Sequence, residues 1–364
     1  MASQKTIDLG AQHLPVGSAA DQLRALADAA EATGYAFDTY GAGDGLNAFE
    51  AKVAAMLGKE AGLFVATGTM AQQSVLRAAT WVHGLGSKPK VFVHGTSHLV
   101  HQDCLRDGAE QAKKFARHAA VNLPDFDAAA LGSFDRVIQL RDVVTAFYVP
   151  GAERNAAVLA ELFDTVYVSF YKGVGALASA MVLGSAAIVA KVRREVAIHG
   201  GKLHTAGPLA LSAELALAKS AGAFAPRFER LRAMVAVVSA AAADAGVAVE
   251  FDPPVPESAM VHCYLPGRAE DLERLHAAAA AATGVTLWNK LRGPGHARDG
   301  TWSYFEWSAG PGNVAATDDD VTRGWAHFLA LCKAELPAPA PAAEPETEVP
   351  PEPPAAEPPA AAAA

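Results

Sequence analysis

The sequence predicts an α/β protein: a mainly parallel sheet covered by helices, followed by a smaller α+β unit. Three observations carry this reading. Strand-like and helix-like segments alternate through the first two hundred or so residues, the rhythm of a helix-covered parallel sheet. From about Gly207 the rhythm changes to a long helical stretch and then mixed short elements. Of the 364 residues, 51% are apolar and 19% charged, which is enough apolar material for a large core.

Taken in order, residues 1–34 read as an N-terminal segment and helix. Asn47 followed by Glu50 resembles a capping box opening the next helix. Gly62–Val65 is a short apolar strand, and helical spacing runs from Met70 to Trp81. Val91–Val93, Val137–Leu140 and Val166–Ser169 are further strands. Between the last two, Ala152–Phe163 has helical spacing, with Val158, Leu159 and Leu162 on one face. Gly173 to Ala190 carries no charge over 18 residues, near the lower limit of a membrane span. Its Gly, Ala and Ser content is too weakly hydrophobic for insertion, so it reads as a strand and the start of a buried helix. The second unit reads as a helix from Gly207 to Ala243, strands at Val247–Glu250 and Met260–Leu265, and a helix at Glu270–Thr283. A strand at Trp302–Trp307, its aromatics in the core, and a helix at Asp318–Lys333 complete it. The boundaries predicted are a large domain at 35–206, a small domain at 207–336 and a tail at 337–364.

That tail is nearly all Pro, Ala and Glu and cannot bury a core; an extended, solvated segment is expected. It holds five Glu and no base, so it supplies −5 of the net charge of −9, and the remaining 336 residues supply −4. A nearly neutral body lacks the basic footprint of a nucleic-acid binder. Cys104, Cys263 and Cys332 form no CxxC pair, so neither a disulfide framework nor a metal site is expected. The N-terminus shows no apolar signal region, and a cytoplasmic protein with no membrane partner is expected.

Four segments carry chemistry. Tyr40 opens a glycine-rich loop, Tyr-Gly-Ala-Gly-Asp-Gly-Leu-Asn-Ala-Phe-Glu, ending at Glu50. A strand ends in Thr67-Gly68-Thr69 and a helix starts at once, which aims backbone N–H groups at a potential anion; a plain capped turn would look the same. The run Val166–Ser169 leads to Lys172 among Gly and small residues. Desolvation there would lower the ammonium pKa and favour imine chemistry, although a surface lysine after a strand has the same local pattern. His94, His98 and His101 lie close together with no Cys or Glu well placed beside them, which fits satisfied polar side chains better than a metal site.

Together these segments resemble the threonine aldolase / β-eliminating lyase family of pyridoxal-phosphate enzymes, of the aspartate-aminotransferase fold (fold type I). The resemblance rests on the Tyr40–Glu50 loop, GKEAGLFVATGTMAQQ at 58–73, Ser97-His98-Leu99 and FDTVYVSFYKGVGA at 163–176. It continues through Gly184-Ser185 and the Arg193–Gly201 loop and weakens after 217. It implies pyridoxal 5'-phosphate as cofactor, tethered by Lys172. Gly68 and Thr69 match the phosphate-holding turn, and Ser169 matches a position lining the cofactor pocket. His98 matches the histidine that stacks on the cofactor ring and assists proton transfer. Tyr40 lies in a loop that reaches a neighbouring subunit's active site in the family, which implies a homodimer or homotetramer. His199 and Arg292 are candidate contacts to an amino-acid substrate. The implied reaction cleaves small β-hydroxy-α-amino acids to glycine and an aldehyde; β-elimination is an alternative.

One motif of the family is missing. An Asp-Gly-Ala-Arg upstream of the lysine pairs with the pyridine nitrogen and the substrate carboxylate, and no such run occurs here. Asp142 is the candidate replacement for the Asp, and Arg141 and Arg154 for the Arg. The gap leaves open a catalytically impaired homologue that binds the cofactor or acts through interactions.

Overall fold

A computed structural model describes residues 6–11, 17–82, 91–94, 112–115, 157, 160–161, 163–220, 222–256, 260–293 and 302–336. The expected strand at Val137–Leu140, most of the helix at Ala152–Phe163 and the 337–364 tail lie outside the described residues.

The sheet nearest the site is three-stranded, with order β2 (Ala61–Val65), β6 (Ala180–Gly184), β5 (Val166–Ser169). β6 runs antiparallel to both neighbours, so β2 and β5 share a direction with a reversed strand between them. A simple parallel alternation did not anticipate that reversal. A second described pair, β3 (Val91–His94) and β4 (Ala112–Phe115), is parallel.

Side-chain alternation then divides the core between two faces. Phe64, Val166, Val168, Met181 and Leu183 face one way, against α2 (Asp44–Met56) and α5 (Gly207–Ser220). Leu63, Val65, Tyr167, Ala180 and Val182 face the other, against α3 (Gly68–Val82) and α4 (Ala186–Ile198). This is a helix–sheet–helix sandwich. Each fully buried large apolar side chain contributes about 1.5–3 kcal/mol.

α2 begins at Asp44 with Gly43 as its N-cap and no side-chain cap. The Asn47/Glu50 capping box therefore does not form; Glu50 lies inside the helix and is buried. The helix expected from Gly207 to Ala243 is two helices, α5 and α6 (Phe224–Ala245). Gly222 takes a left-handed φ of +74°, and Pro226 follows within the first turn of α6, where a missing N–H is tolerated. The strand expected at Val247–Glu250 is β7 at Glu250–Asp252. Val247 is still tied to the helix end, donating its N–H to the Ala242 carbonyl (3.1 Å).

The C-terminal unit is an antiparallel sheet of order β10 (Trp302–Ser308), β8 (Met260–Pro266), β7, with α6, α7 (Ala269–Thr283) and α8 (Asp318–Glu335). Its core holds Trp288, Phe305, Trp307, Trp325 and Phe328. β1 (Ile7–Asp8) pairs in parallel with β9 (Val285–Thr286), and Leu9 is fully buried in the same core. The helix α1 (Ala19–Thr33) instead packs on α5 and buries none of its own residues completely. Cys263 and Cys332 are buried free thiols. Burial pushes both up, Cys332 to about 12, so neither is a thiolate near neutral pH. Among the described residues no helix is long and apolar enough to cross a membrane.

Candidate active site

β5 ends at Ser169 and runs directly into a tight π turn, Phe170–Val174, that carries Lys172. Lys172 leaves the helical region (φ −90°, ψ −118°) and is half-buried. Neighbouring elements hold the turn around it. The Arg227 guanidinium donates to the Gly173 carbonyl (2.6 Å) and the Ser220 hydroxyl to the Val174 carbonyl (3.1 Å). Gly175 closes the turn at φ +83°, and a Cβ there would lie 2.9 Å from Pro311 Cγ, so glycine alone fits. The C-terminal unit, through Pro311, thus backs the lysine turn.

Beside it stands the start of α3. The opening N–H groups of a helix have no intrahelical acceptor and carry the positive end of its dipole. Thr67 accepts the Met70 N–H through its hydroxyl (3.2 Å), which leaves the Gly68-Thr69 end as the place where an anion would sit. Gly68 is pressed against β5: a Cβ on it would lie 2.9 Å from Tyr167 Cε2 and 3.0 Å from Ser169 Oγ. The Ser169 hydroxyl is fully buried and, among the described residues, has no hydrogen-bond partner. One turn further along α3, the Gln72 amide donates to the Tyr167 hydroxyl (2.5 Å), and its Oε1 is also buried and unpartnered. Buried polar atoms are normally paired, and these two, beside the start of α3, are groups that a bound ligand could complete. Gly68 thus lies against Ser169 at the end of β5, Lys172 sits in the turn that follows it, and Thr69 is half-buried in the same helix turn as Gly68.

A cavity of about 350 Å³ lies along the outer side of β2, lined by Tyr40, Asp38, Glu50, Arg193, Lys202 and residues 63–66 among others. Asp38 organises its mouth. Its carboxylate accepts the Gly41 N–H (2.9 Å), the Ala206 N–H (2.7 Å) and the Thr205 hydroxyl (3.0 Å). Burial alone would raise its pKa, but these donors outweigh burial and hold it below the ordinary value. Tyr40 is exposed with a φ of +51°. Its N–H donates to the His204 carbonyl (2.7 Å) and its ring meets the His204 ring edge-on at 5.0 Å.

The other candidates fall elsewhere. Residues 193–198 are the last turns of α4, so the expected Arg193–Gly201 loop shrinks to a turn at 199–201, where Gly201 packs against the Met70 side chain. His199 caps α4 and is exposed, with Nδ1 2.9 Å from the Glu195 carbonyl of its own helix. Arg292 pairs with Glu306 (3.1 Å) and lies over the Tyr304 ring, both within the C-terminal unit. His98, Asp142, Arg141 and Arg154, with His94's side chain and His101, lie outside the described residues. Sequence reading missed Asp38, Gln72, Arg193 and His204. Glu50 was visible in the Phe-Glu pair but was read as a cap.

No family model matches the chain. Among solved structures it is similar to one assigned as an L-allo-threonine aldolase from Listeria monocytogenes EGD-E, with a TM-score of 0.68 and 24% identity over 90% of this chain and 97% of that one. A structure assigned as an aromatic amino acid beta-eliminating lyase/threonine aldolase from Exiguobacterium sp. 255-15 matches with the same score, identity and coverage. A serine palmitoyltransferase from Sphingomonas wittichii matches at a TM-score of 0.63 and 16% identity, over 92% of this chain and 88% of that one. Among curated proteins, alanine racemase TOXG of Cochliobolus carbonum is 26% identical over 215 residues, which is 48% of this chain. The match spans about half (54%) of that relative's length. These likenesses establish the fold: an aspartate-aminotransferase-like α/β architecture.

Proposed function

We propose that this chain is a pyridoxal-phosphate-dependent lyase that cleaves small β-hydroxy-α-amino acids to glycine and an aldehyde. The observation that carries the reading is the buried, unpartnered Ser169 hydroxyl set against Gly68 and leading into the Lys172 turn. Those residues fit the cofactor: a helix N-terminus and a hydroxyl for its phosphate, and an amine for its tether. When bound, the cofactor supplies an electron sink for the pair left at Cα. The chain's own contribution is placement. Gly68, Thr69 and Ser169 hold the phosphate, and the braced 170–175 turn fixes the Lys172 amine. Tyr40 stands at the open side, suited to a substrate or a second subunit of a homodimer or homotetramer. The likeness to two aldolase-type structures supports Cα–Cβ cleavage.

The test is spectroscopic and then chemical. Purified protein with added cofactor should show the visible band of the lysine-bound group, and Lys172→Ala should lose it. Threonine or allo-threonine should then release aldehyde. No band, or a band that survives Lys172→Ala, overturns the proposal. A second reading has its own support: the curated match is to an alanine racemase, which points to proton exchange at Cα. Interconversion of alanine enantiomers without aldehyde release selects it. Cofactor binding with neither activity selects the impaired homologue that the missing Asp-Gly-Ala-Arg suggests.

A further inference from the structure

Glu50 sits on α2, on the face of the sheet opposite α3, yet its carboxylate reaches around the outer edge of β2. Oε1 accepts the Phe64 N–H (2.8 Å), and Oε2 lies 3.1 Å from the Arg193 guanidinium on α4, which covers the other face. One carboxylate therefore joins both helix layers across the edge of the strand that delivers Thr67-Gly68-Thr69. Among the described residues β2 pairs only with β6, so its other edge offers N–H groups that a further strand or water would ordinarily take. A buried carboxylate takes one of them instead.

For stability alone this is a poor arrangement. Removing a carboxylate from water is costly, and such a pair is weak evidence of stabilisation. Burial raises the Glu50 carboxyl, and the Phe64 N–H and Arg193 only partly offset it. What the pair fixes is geometry. Phe64 lies just upstream of the turn in β2. α4 leads from Arg193 to Gly201, which packs on Met70 in the first turn of α3. The strand that feeds the anion site and the segment that backs it are thus tied to the same carboxylate.

We propose that Glu50, clamped by Arg193, is a positioning residue for the Gly68-Thr69 anion turn and sets how tightly the cofactor phosphate is held. This rests on the cofactor reading above. The test uses the full chain stripped of cofactor, for wild type, Glu50→Gln, Arg193→Gln, Arg193→Lys and the Glu50→Gln/Arg193→Gln double variant. Two quantities are measured: the pyridoxal-phosphate dissociation constant, from the visible band, and the melting temperature of the cofactor-free protein. Each Gln single variant should bind the cofactor about tenfold more weakly, within the usual range of coupled sites. The double variant should be no worse than either single one, because the two residues act as a unit. Arg193→Lys should recover part of the loss. Arg193 is 47% exposed, so its substitution disturbs packing less than a Glu50 variant does, and the melting temperature shows whether each variant is folded. A dissociation constant within twofold of wild type in Arg193→Gln overturns the inference, whatever the melting temperature does. So do additive losses in the double variant. If wild type itself shows no band, the cofactor reading falls and this inference falls with it.

Discussion

The two sheets of this molecule are packed by different means. Around β2, β6 and β5 the apolar faces are ordinary, but the ends are held by buried polar groups: Asp38, Glu50, Gln72 and Ser169. In the C-terminal unit the work is aromatic. Trp288 lies 5.2 Å from Phe305 and 5.1 Å from Phe328, and Trp325 lies 6.0 Å from Trp307. Among the described residues, one of its two buried histidines, His276, shows the same packing. His276 stacks on Trp288 at 4.1 Å and accepts the Leu287 N–H (2.9 Å), and burial lowers its pKa so that it stays neutral. On the cofactor reading proposed above, the C-terminal unit carries stability and the polar ends of the other sheet carry ligand placement. Substitutions in the two regions should therefore separate stability from cofactor affinity.

The largest effect belongs to the aromatic core. Trp325 is fully buried among Trp288, Phe305 and Phe328, and Trp325→Ala should cost about 3–5 kcal/mol in chemical denaturation. Cofactor affinity of the folded fraction should change little. Weakened binding on the scale of the phosphate-turn variants would break the comparison. Next is Gly68→Ala. A Cβ there would press on Tyr167 and Ser169, so Tyr167 or the helix start must shift, at about 1–3 kcal/mol. Because the shift opens the anion turn, cofactor binding should fall at least about tenfold, the equivalent of 1.4 kcal/mol. Unchanged binding would place the phosphate elsewhere.

Asp38 sharpens the comparison through pH. Its carboxyl is held below the ordinary value near 3.8, so it is more acidic folded than unfolded. Its contribution to stability is present above the unfolded value and is lost as pH falls through the lowered folded one. Asp38→Asn should cost about 1.5–3 kcal/mol at neutral pH, the usual range for hydrogen bonds to a charged group. It should also flatten the acid limb of a melting-temperature profile below that value. A variant whose acid limb matches wild type would show that Asp38 is no part of the acid response. Glu50 has the opposite sign: its raised carboxyl favours the protonated form, so ionisation above the ordinary value near 4.5 detracts from stability.

Much of this was legible in the chain. Alternating apolar runs marked β2, β5 and β8 to within a residue, because an apolar strand must bury a face wherever it lies. Lys172, Gly68 and Ser169 stood out through the family resemblance, since their local patterns also fit a capped turn and a surface lysine; what the structure adds is that Gly68 lies against Ser169 at the end of β5. The split between α5 and α6 was not, since Gly222 and Pro226 are tolerated or disruptive according to where the helix starts. Glu50 was misread because a capping box and a buried edge clamp share the same spacing; only the approach of Phe64 and Arg193, distant in sequence, distinguishes them. Arg292 and His199 were plausible by residue type, but local partners, Glu306 and the Glu195 carbonyl, claim them.

The smallest expected effect is the most discriminating, because its sign differs between the two states. Ser169 Oγ is buried without a hydrogen-bond partner among the described residues. Leaving a buried hydroxyl unpaired costs about 1–3 kcal/mol, so Ser169→Ala should raise the stability of the cofactor-free protein by about 1 kcal/mol after the lost packing of one oxygen. In the loaded protein the same change removes a phosphate partner, and the dissociation constant should rise. An apolar contact in the C-terminal core behaves otherwise: losing it lowers stability in both states. Melting curves with and without pyridoxal phosphate resolve the two. A Ser169→Ala protein less stable in both would show that the hydroxyl serves the fold, and a gain in both would show that it faces no phosphate.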